Sequence, residues 1–414
     1  MYYLPVLFLP NLGFGQVTEF GTFELSDVLI GPYLVLVWLA ADLKRRTLID
    51  KVAPMALVFI VWALVSTLLI NVRYDYADNH YLYFGLYKLA KFVLYGLAGF
   101  LTSRALVDDR TRRDFARSLV MAALVVGIGL ATVGQKSNAG TRDIFAGYKA
   151  SNGISVMAAM LACYLCGLWL RRKGIGNWTR KFILVALCAL VFGSAISEGR
   201  GGWVAGIAGL LYLCYQGGLR RGVVALMVGA PVMISLLYAY SPVFRNRVEF
   251  TLFPDSTYLA TYGSGVGGID DGARVVVWRD ELGHFDAPVF GTGFFHRGGE
   301  SGLSFSGSHN FFLQMFLETG IPGGLLMLII FYRLWYLAGS HSARVAGLDL
   351  PVKAALVAAI VGGFSGEYFY GGVIPFALLA VCAACGSLPA GLPVRIARPS
   401  PQVVGFNASI TRSR

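Results

Sequence analysis

Five side chains in this sequence have types and settings that could act on an anionic substrate: Arg200, Arg274, His309, Lys88 and Lys91. Arg200 lies in Ser197-Glu198-Gly199-Arg200-Gly201-Gly202-Trp203, a link between two apolar runs so short that it reads as a glycine-dependent hairpin. A guanidinium held there either binds an anion or snorkels to the membrane surface. Arg274 begins Arg274-Val275-Val276-Val277-Trp278-Arg279-Asp280-Glu281, which suits a short helix lying on a membrane, and the turn Pro288-Val289-Phe290-Gly291-Thr292-Gly293 follows. It either meets substrate or pairs with Asp270 or Asp271. His309 lies in Ser308-His309-Asn310-Phe311-Phe312, where Ser308 is the expected helix N-cap. The positive end of a helix dipole favours neutral imidazole, the form a general base requires. A histidine there can equally be no more than hydrogen-bonded. Lys88 and Lys91 are i,i+3 neighbours on one helix face. Each charge costs about 2.5–3.5 kcal/mol at mid-membrane on insertion scales, so each needs a carboxylate, a phosphate or a wet cavity.

The elements that must position these residues follow from composition. The 414 residues are 56% hydrophobic and 14% charged, against roughly 25% charged in soluble chains. Mean hydropathy is +0.63. So few charges cannot cover so much apolar surface in water. A soluble enzyme, a disordered chain and a secreted disulfide scaffold are therefore excluded. The apolar runs are continuous, which favours helices over the alternating ~10-residue strands of a membrane barrel. An all-α polytopic membrane protein is expected, with about twelve spans near 2–16, 28–43, 52–70, 81–101, 119–133, 154–170, 182–196, 203–215, 223–240, 321–338, 354–369 and 373–388.

The net charge of +12 would suggest nucleic acid in a soluble chain. Here it sorts by loop. Eighteen Lys and Arg fall in one set of alternating short loops and five in the other, which places the richer set and both termini in the cytoplasm, and no nucleic-acid partner is expected. The N-terminal MYYLPVLFLPNLGFG has no basic n-region or A-x-A site and reads as a short first span, not a cleaved signal. If it does not cross, only the N-terminus changes side. The organisation is thus spans one to nine over 1–240, a large outer loop over 241–320, spans ten to twelve over 321–388, and a proline- and arginine-containing tail over 389–414. The loop holds three of the five histidines, His284, His296 and His309. Loops that long are usually functional or disordered.

Other patterns carry less. Cys163/Cys166 and Cys382/Cys385 are spaced C-x-x-C but sit inside apolar runs, as membrane-buried small residues do. Gly263-Ser264-Gly265-Val266-Gly267-Gly268 fits G-x-G-x-x-G but follows no strand. Asp270-Asp271 has no second set of ligands, so no metal or cofactor is expected.

In order and spacing, S-x-x-R-G-G-W, then R-x-x-x-W with P-x-x-G-x-G, then S-H-N-x-x-L-x-x-x-x-E-x-G-I-x-G-x-L resembles the O-antigen ligase/polymerase superfamily, most strongly over 195–335. The resemblance implies a bacterial inner-membrane glycosyltransferase of the C-type fold with a periplasmic active site. Its donor would be a glycan on undecaprenyl diphosphate. A ligase moves that glycan to a sugar hydroxyl of lipid A-core in lipopolysaccharide assembly, and a polymerase moves it to another repeat unit. Arg200 and Arg274 would bind the diphosphate and His309 would be the catalytic base, with Lys88 and Lys91 adding positive field. One dominant outer loop favours the ligase branch; the smaller loop at 134–153, with Lys136, Arg142 and Lys149, keeps the polymerase open. The residues alone also suit a polysaccharide-lipid transporter lined by Lys88 and Lys91, although no inverted repeat is visible.

Overall fold

The structure, a computed structural model, describes residues 4–8, 25–44, 46–69, 80–106, 109–133, 151–171, 177–197, 200–218, 287–294, 310–364 and 373–388, with isolated positions between 232 and 285. Every multi-residue element among them is helical. The α-helices are α1 (Leu25–Ala40), α2 (Ala53–Leu68), α3 (His80–Ala105), α4 (Asp109–Val133), α5 (Ser151–Arg171), α6 (Asn177–Ser197), α7 (Arg200–Gln216), α8 (Phe311–Ala338), α9 (His341–Ala346), α10 (Asp349–Gly363) and α11 (Val373–Gly386). Single 3-10 turns occur at Leu4–Phe8 and Leu48–Lys51. Apolar runs fold this way in lipid because a helix satisfies its backbone polar groups internally.

Ten of the twelve expected spans coincide with helices. The first is described only at Leu4–Phe8, and the ninth lies mostly outside the described residues. Among the described residues, four helices are long and apolar enough to cross a bilayer: Leu82–Ala105, Arg110–Ala131, Gly153–Arg171 and Phe311–Ala338. Ser26–Ala40, Ala53–Leu68 and Ala377–Gly386 are shorter apolar helices. The outward faces of α1 and α2 expose Val35, Leu36, Trp38, Leu39, Leu57, Val58 and Val61, a surface that suits lipid and not water.

Helix α5 is the most enclosed of the four long helices and packs against α6, α7, α10 and α11. Small residues let these backbones approach, as expected where lipid supplies no hydrophobic drive between helices. A Cβ on Gly127 of α4 would stand 2.5 Å from the carbonyl carbon of Ala189 in α6, and one on Gly167 of α5 would stand 2.6 Å from Cα of Pro351 in α10. All six cysteines are free thiols, with Cys163, Cys382 and Cys385 buried.

Loops that the charge bias assigns to one side are in contact. The Asp42 amide donates to the Arg104 carbonyl at 3.2 Å, and the Leu48 amide donates to the Leu388 carbonyl at 3.0 Å. Arg104 pairs with Asp50 at 2.5 Å, and Arg171 at the end of α5 pairs with Asp349 at the start of α10 at 2.7 Å.

Two expectations at α8 change. The helix starts at Phe311, ten residues before the expected tenth span, because Gly320 kinks it without ending it: its backbone there is non-helical, φ 69°, ψ 178°. The N-cap is Asn310, not Ser308. Asn310 is extended, and its Oδ1 accepts from the amides of Phe312 at 3.1 Å and Leu313 at 3.2 Å. Asparagine caps as well as serine, and the Phe-Phe-Leu run that enters the core begins right after it.

Candidate functional site

The first motif is a hairpin in the structure too. Helix α6 ends at Ser197 and α7 begins at Arg200. The Trp203 indole N–H donates back to the Ser194 carbonyl at 2.9 Å, tying the start of α7 to the end of α6. A Cβ on Gly202 would lie 2.5 Å from the Ser155 carbonyl, so the hairpin rests on the beginning of α5. Only the backbone of Arg200 is described.

The third motif comes to the same end of the bundle. Gly362 of α10 abuts Val156, next to Ser155, and a Cβ on Gly363 would stand 3.0 Å from the Phe312 ring at the start of α8. The Phe312 ring also lies against Phe364 and Phe331, with centroids 4.9 and 5.6 Å away. Gly202, Ser155, Val156, Gly362, Gly363 and Phe312 thus form one continuous packing layer. The starts of α7 and α8 flank it. His309 precedes the cap of α8 by one residue; it and Arg274 lie outside the described residues.

The tail of the second motif is built into the kink of α8, and the reason is backbone bookkeeping. At the kink the Ile321 amide donates to the Pro288 carbonyl at 2.8 Å, and Pro322 has no amide hydrogen to give Glu318. The carbonyls of Leu317 and Glu318 would be left unpaired. They accept instead from the amides of Thr292 at 2.9 Å and Gly293 at 2.8 Å. The Thr319 carbonyl accepts from the Trp62 indole N–H at 2.7 Å. The Ser66 hydroxyl lies between the carbonyls of Phe290 and Glu318, 2.8 Å from the latter, and donates to one at a time. In lipid every such group must find a protein partner. Backbones can come this close only because Gly291 and Gly320 have no Cβ: an added one on Gly291 would meet the Glu318 carbonyl and the Gly320 nitrogen.

Helices α2 and α3 clamp the outside of this turn. The Trp62 ring stacks on Phe290, centroids 5.1 Å apart and 14° from parallel. The Phe294 amide donates to Thr67 Oγ1 at 3.2 Å, and the Phe294 carbonyl sits where a Cβ of Gly85 would be. Glu318 is almost wholly buried, and its Oε1 accepts from Gln314 Nε2 at 2.6 Å.

The two lysines separate. Lys91 forms a buried ion pair with Asp27 of α1, Nζ to Oδ2 2.7 Å, and Tyr95 donates to Oδ1 of the same carboxylate at 3.1 Å. Of the anions left open for it, the carboxylate is the one found. Lys88 lies one turn from Gly85 and from Phe92, the two α3 positions against Phe294, and its ammonium is 5.3 Å from the Phe84 ring centroid. Sequence reasoning missed Asp27, Trp62 and Ser66, and gave Glu318, a residue of the third motif, no role. Only the glycines of the two motifs signalled that their backbones meet.

Removing one member of the buried pair should be costly. Lys91→Met is expected to lower stability by about 3–5 kcal/mol by stranding the Asp27 charge, and adding Asp27→Asn should recover much of that loss. Thermal unfolding of the purified single and double variants checks it; additive losses would refute the pairing.

The fold is multi-helical, with apolar helices suited to a membrane; the starts of α7 and α8 share one packing layer, and the turn of the second motif seats at the kink of α8. Residues 184–328 match the family model described as O-antigen ligase, a segment that contains all three motifs and supports the O-antigen ligase/polymerase superfamily. The family points to a membrane glycosyltransferase-like enzyme. No curated protein matches the chain.

Proposed function

We propose that the protein is an O-antigen ligase, an inverting, metal-independent glycosyltransferase. It moves a glycan from undecaprenyl diphosphate to a sugar hydroxyl of lipid A-core on the periplasmic face. The observation that carries this reading is the joining of the motifs: the α7 and α8 starts share one packing layer, and the Pro288–Gly293 turn is hydrogen-bonded into α8.

The acceptor hydroxyl oxygen attacks the anomeric carbon from the face opposite the diphosphate. The new C–O bond forms as the bond to the diphosphate oxygen breaks, and its electron pair leaves with the diphosphate. The hydroxyl proton goes to His309. Arg200 and Arg274 neutralise the leaving charge with guanidinium forks that stay charged at any working pH. Lys88 adds to that field; Lys91 has its charge matched by Asp27.

The test is reconstitution of the purified chain with a lipid-diphosphate glycan, excess chelator and two competing acceptors, lipid A-core and a second repeat unit. Glycan on lipid A-core is the expected product. A lengthened repeat would make the protein a polymerase with the same donor, and transfer that needs a divalent cation would refute the arginine mechanism.

A further inference from the structure

At the side opposite the motif layer, a cleft of about 870 Å³ opens between the end of α1, the link to α2 and the start of α2. Lys44, Arg46 and Lys51 line it, and all three are exposed. Its acidic lining residue, Asp50, is already engaged: Oδ1 takes Arg104 at 2.5 Å and Oδ2 takes the Thr47 amide at 2.7 Å. Arg104 and Asp50 balance each other, so the other three cations give the cleft a net positive charge. One wall is apolar, formed by Leu43, Pro54 and Leu57, with Leu43 54% and Leu57 62% exposed. Below Leu57, the outward face of α2 continues with exposed Val58, Val61 and Leu64.

We infer that this cleft binds an anionic phospholipid of the surrounding bilayer. The phosphate headgroup meets Lys44, Arg46 and Lys51, the glycerol covers Pro54, and an acyl chain runs down α2 over Leu57 and Val61. Basic pockets at the ends of membrane helices hold anionic headgroups in this way. Loop charge that only set orientation would require neither the concave shape nor the apolar wall, and a free inorganic anion would make no use of the exposed leucines.

The test uses the full-length protein in neutral detergent, titrated with phosphatidylglycerol, phosphatidylcholine or inorganic phosphate. Bound lipid is read by native mass spectrometry and by the shift in melting temperature. Phosphatidylglycerol is expected to bind in preference to phosphatidylcholine and to resist displacement by phosphate. Lys44→Gln with Arg46→Gln should weaken its binding about 30-fold, roughly fivefold per cation. Arg110→Gln with Arg113→Gln removes the same charge from the first turn of α4, outside the cleft lining, and should change it by less than about twofold. Leu57→Glu keeps all three cations and should also weaken binding, which guards against a fold defect in the double variant. Equal losses in the two arginine- and lysine-depleted proteins, no preference for the anionic lipid, or displacement by phosphate would each overturn the site. None of these readouts depends on glycan transfer, so the lipid site and the ligase reading stand or fall separately.

Discussion

Replacing His309 with alanine is expected to lower glycan transfer by about 10²–10⁴-fold, the usual contribution of a positioned general base, while the protein still reaches the membrane. A sugar hydroxyl is a poor nucleophile, and it becomes competent only if its proton has somewhere to go as the C–O bond forms. His309 stands one residue before the Asn310 cap, and that cap already satisfies the amides of Phe312 and Leu313. The helix end is thus fixed by Asn310 without help from residue 309. The comparison that separates base from scaffold is donor retention. His309→Ala should still hold the lipid-diphosphate donor, whereas Arg274→Ala should lose both donor and transfer. The readouts are transfer to lipid A-core from purified donor and co-purification of that donor. Full transfer by His309→Ala would remove the catalytic assignment.

Much of the fold was legible because lipid imposes a simple rule. A run of apolar residues must become a helix, and among the described residues ten of the twelve expected segments coincide with one. The loop pattern of Lys and Arg also grouped ends that prove to touch, such as Asp42 with Arg104. The kink in α8 was not legible. Glu318-Thr319-Gly320-Ile321-Pro322 reads locally as a helix boundary, because glycine and proline each disfavour helix. The helix persists because Thr292 and Gly293, some 25 residues earlier in the chain, supply the missing donors to Leu317 and Glu318. No local pattern encodes a partner that far away. The same holds for Asp27 and Lys91, 64 residues apart. The lysine announced a need for an anion, but nothing nearby in sequence named it.

The largest structural effect is expected from Gly320. Its backbone, φ 69° and ψ 178°, lies in a region essentially restricted to glycine, where another residue costs on the order of 1–3 kcal/mol. Gly320→Ala adds a clash, because the new Cβ would overlap the Val289 carbonyl, 2.5 Å from its carbon. Relief requires either straightening α8 or expelling the Pro288–Gly293 turn. Straightening is blocked by Pro322, which cannot complete the helical ladder. Expulsion strands the carbonyls of Leu317 and Glu318 in the bundle, each unmade buried bond costing about 1–3 kcal/mol. The sum, several kcal/mol, is a large share of the stability of an ordinary domain. Gly320→Ala should therefore melt well below the unaltered protein and should lose transfer, since the turn that follows Arg274 no longer has its seat. Gly96→Ala is the matched control: Gly96 is helical, no atom lies within 4 Å of its added Cβ, and the change should be neutral or stabilising by about 0.5–1 kcal/mol. Thermal unfolding of the three detergent-purified proteins decides the matter. If Gly320→Ala melts with the unaltered protein, the interlock between the turn and the kinked helix does not hold the site together.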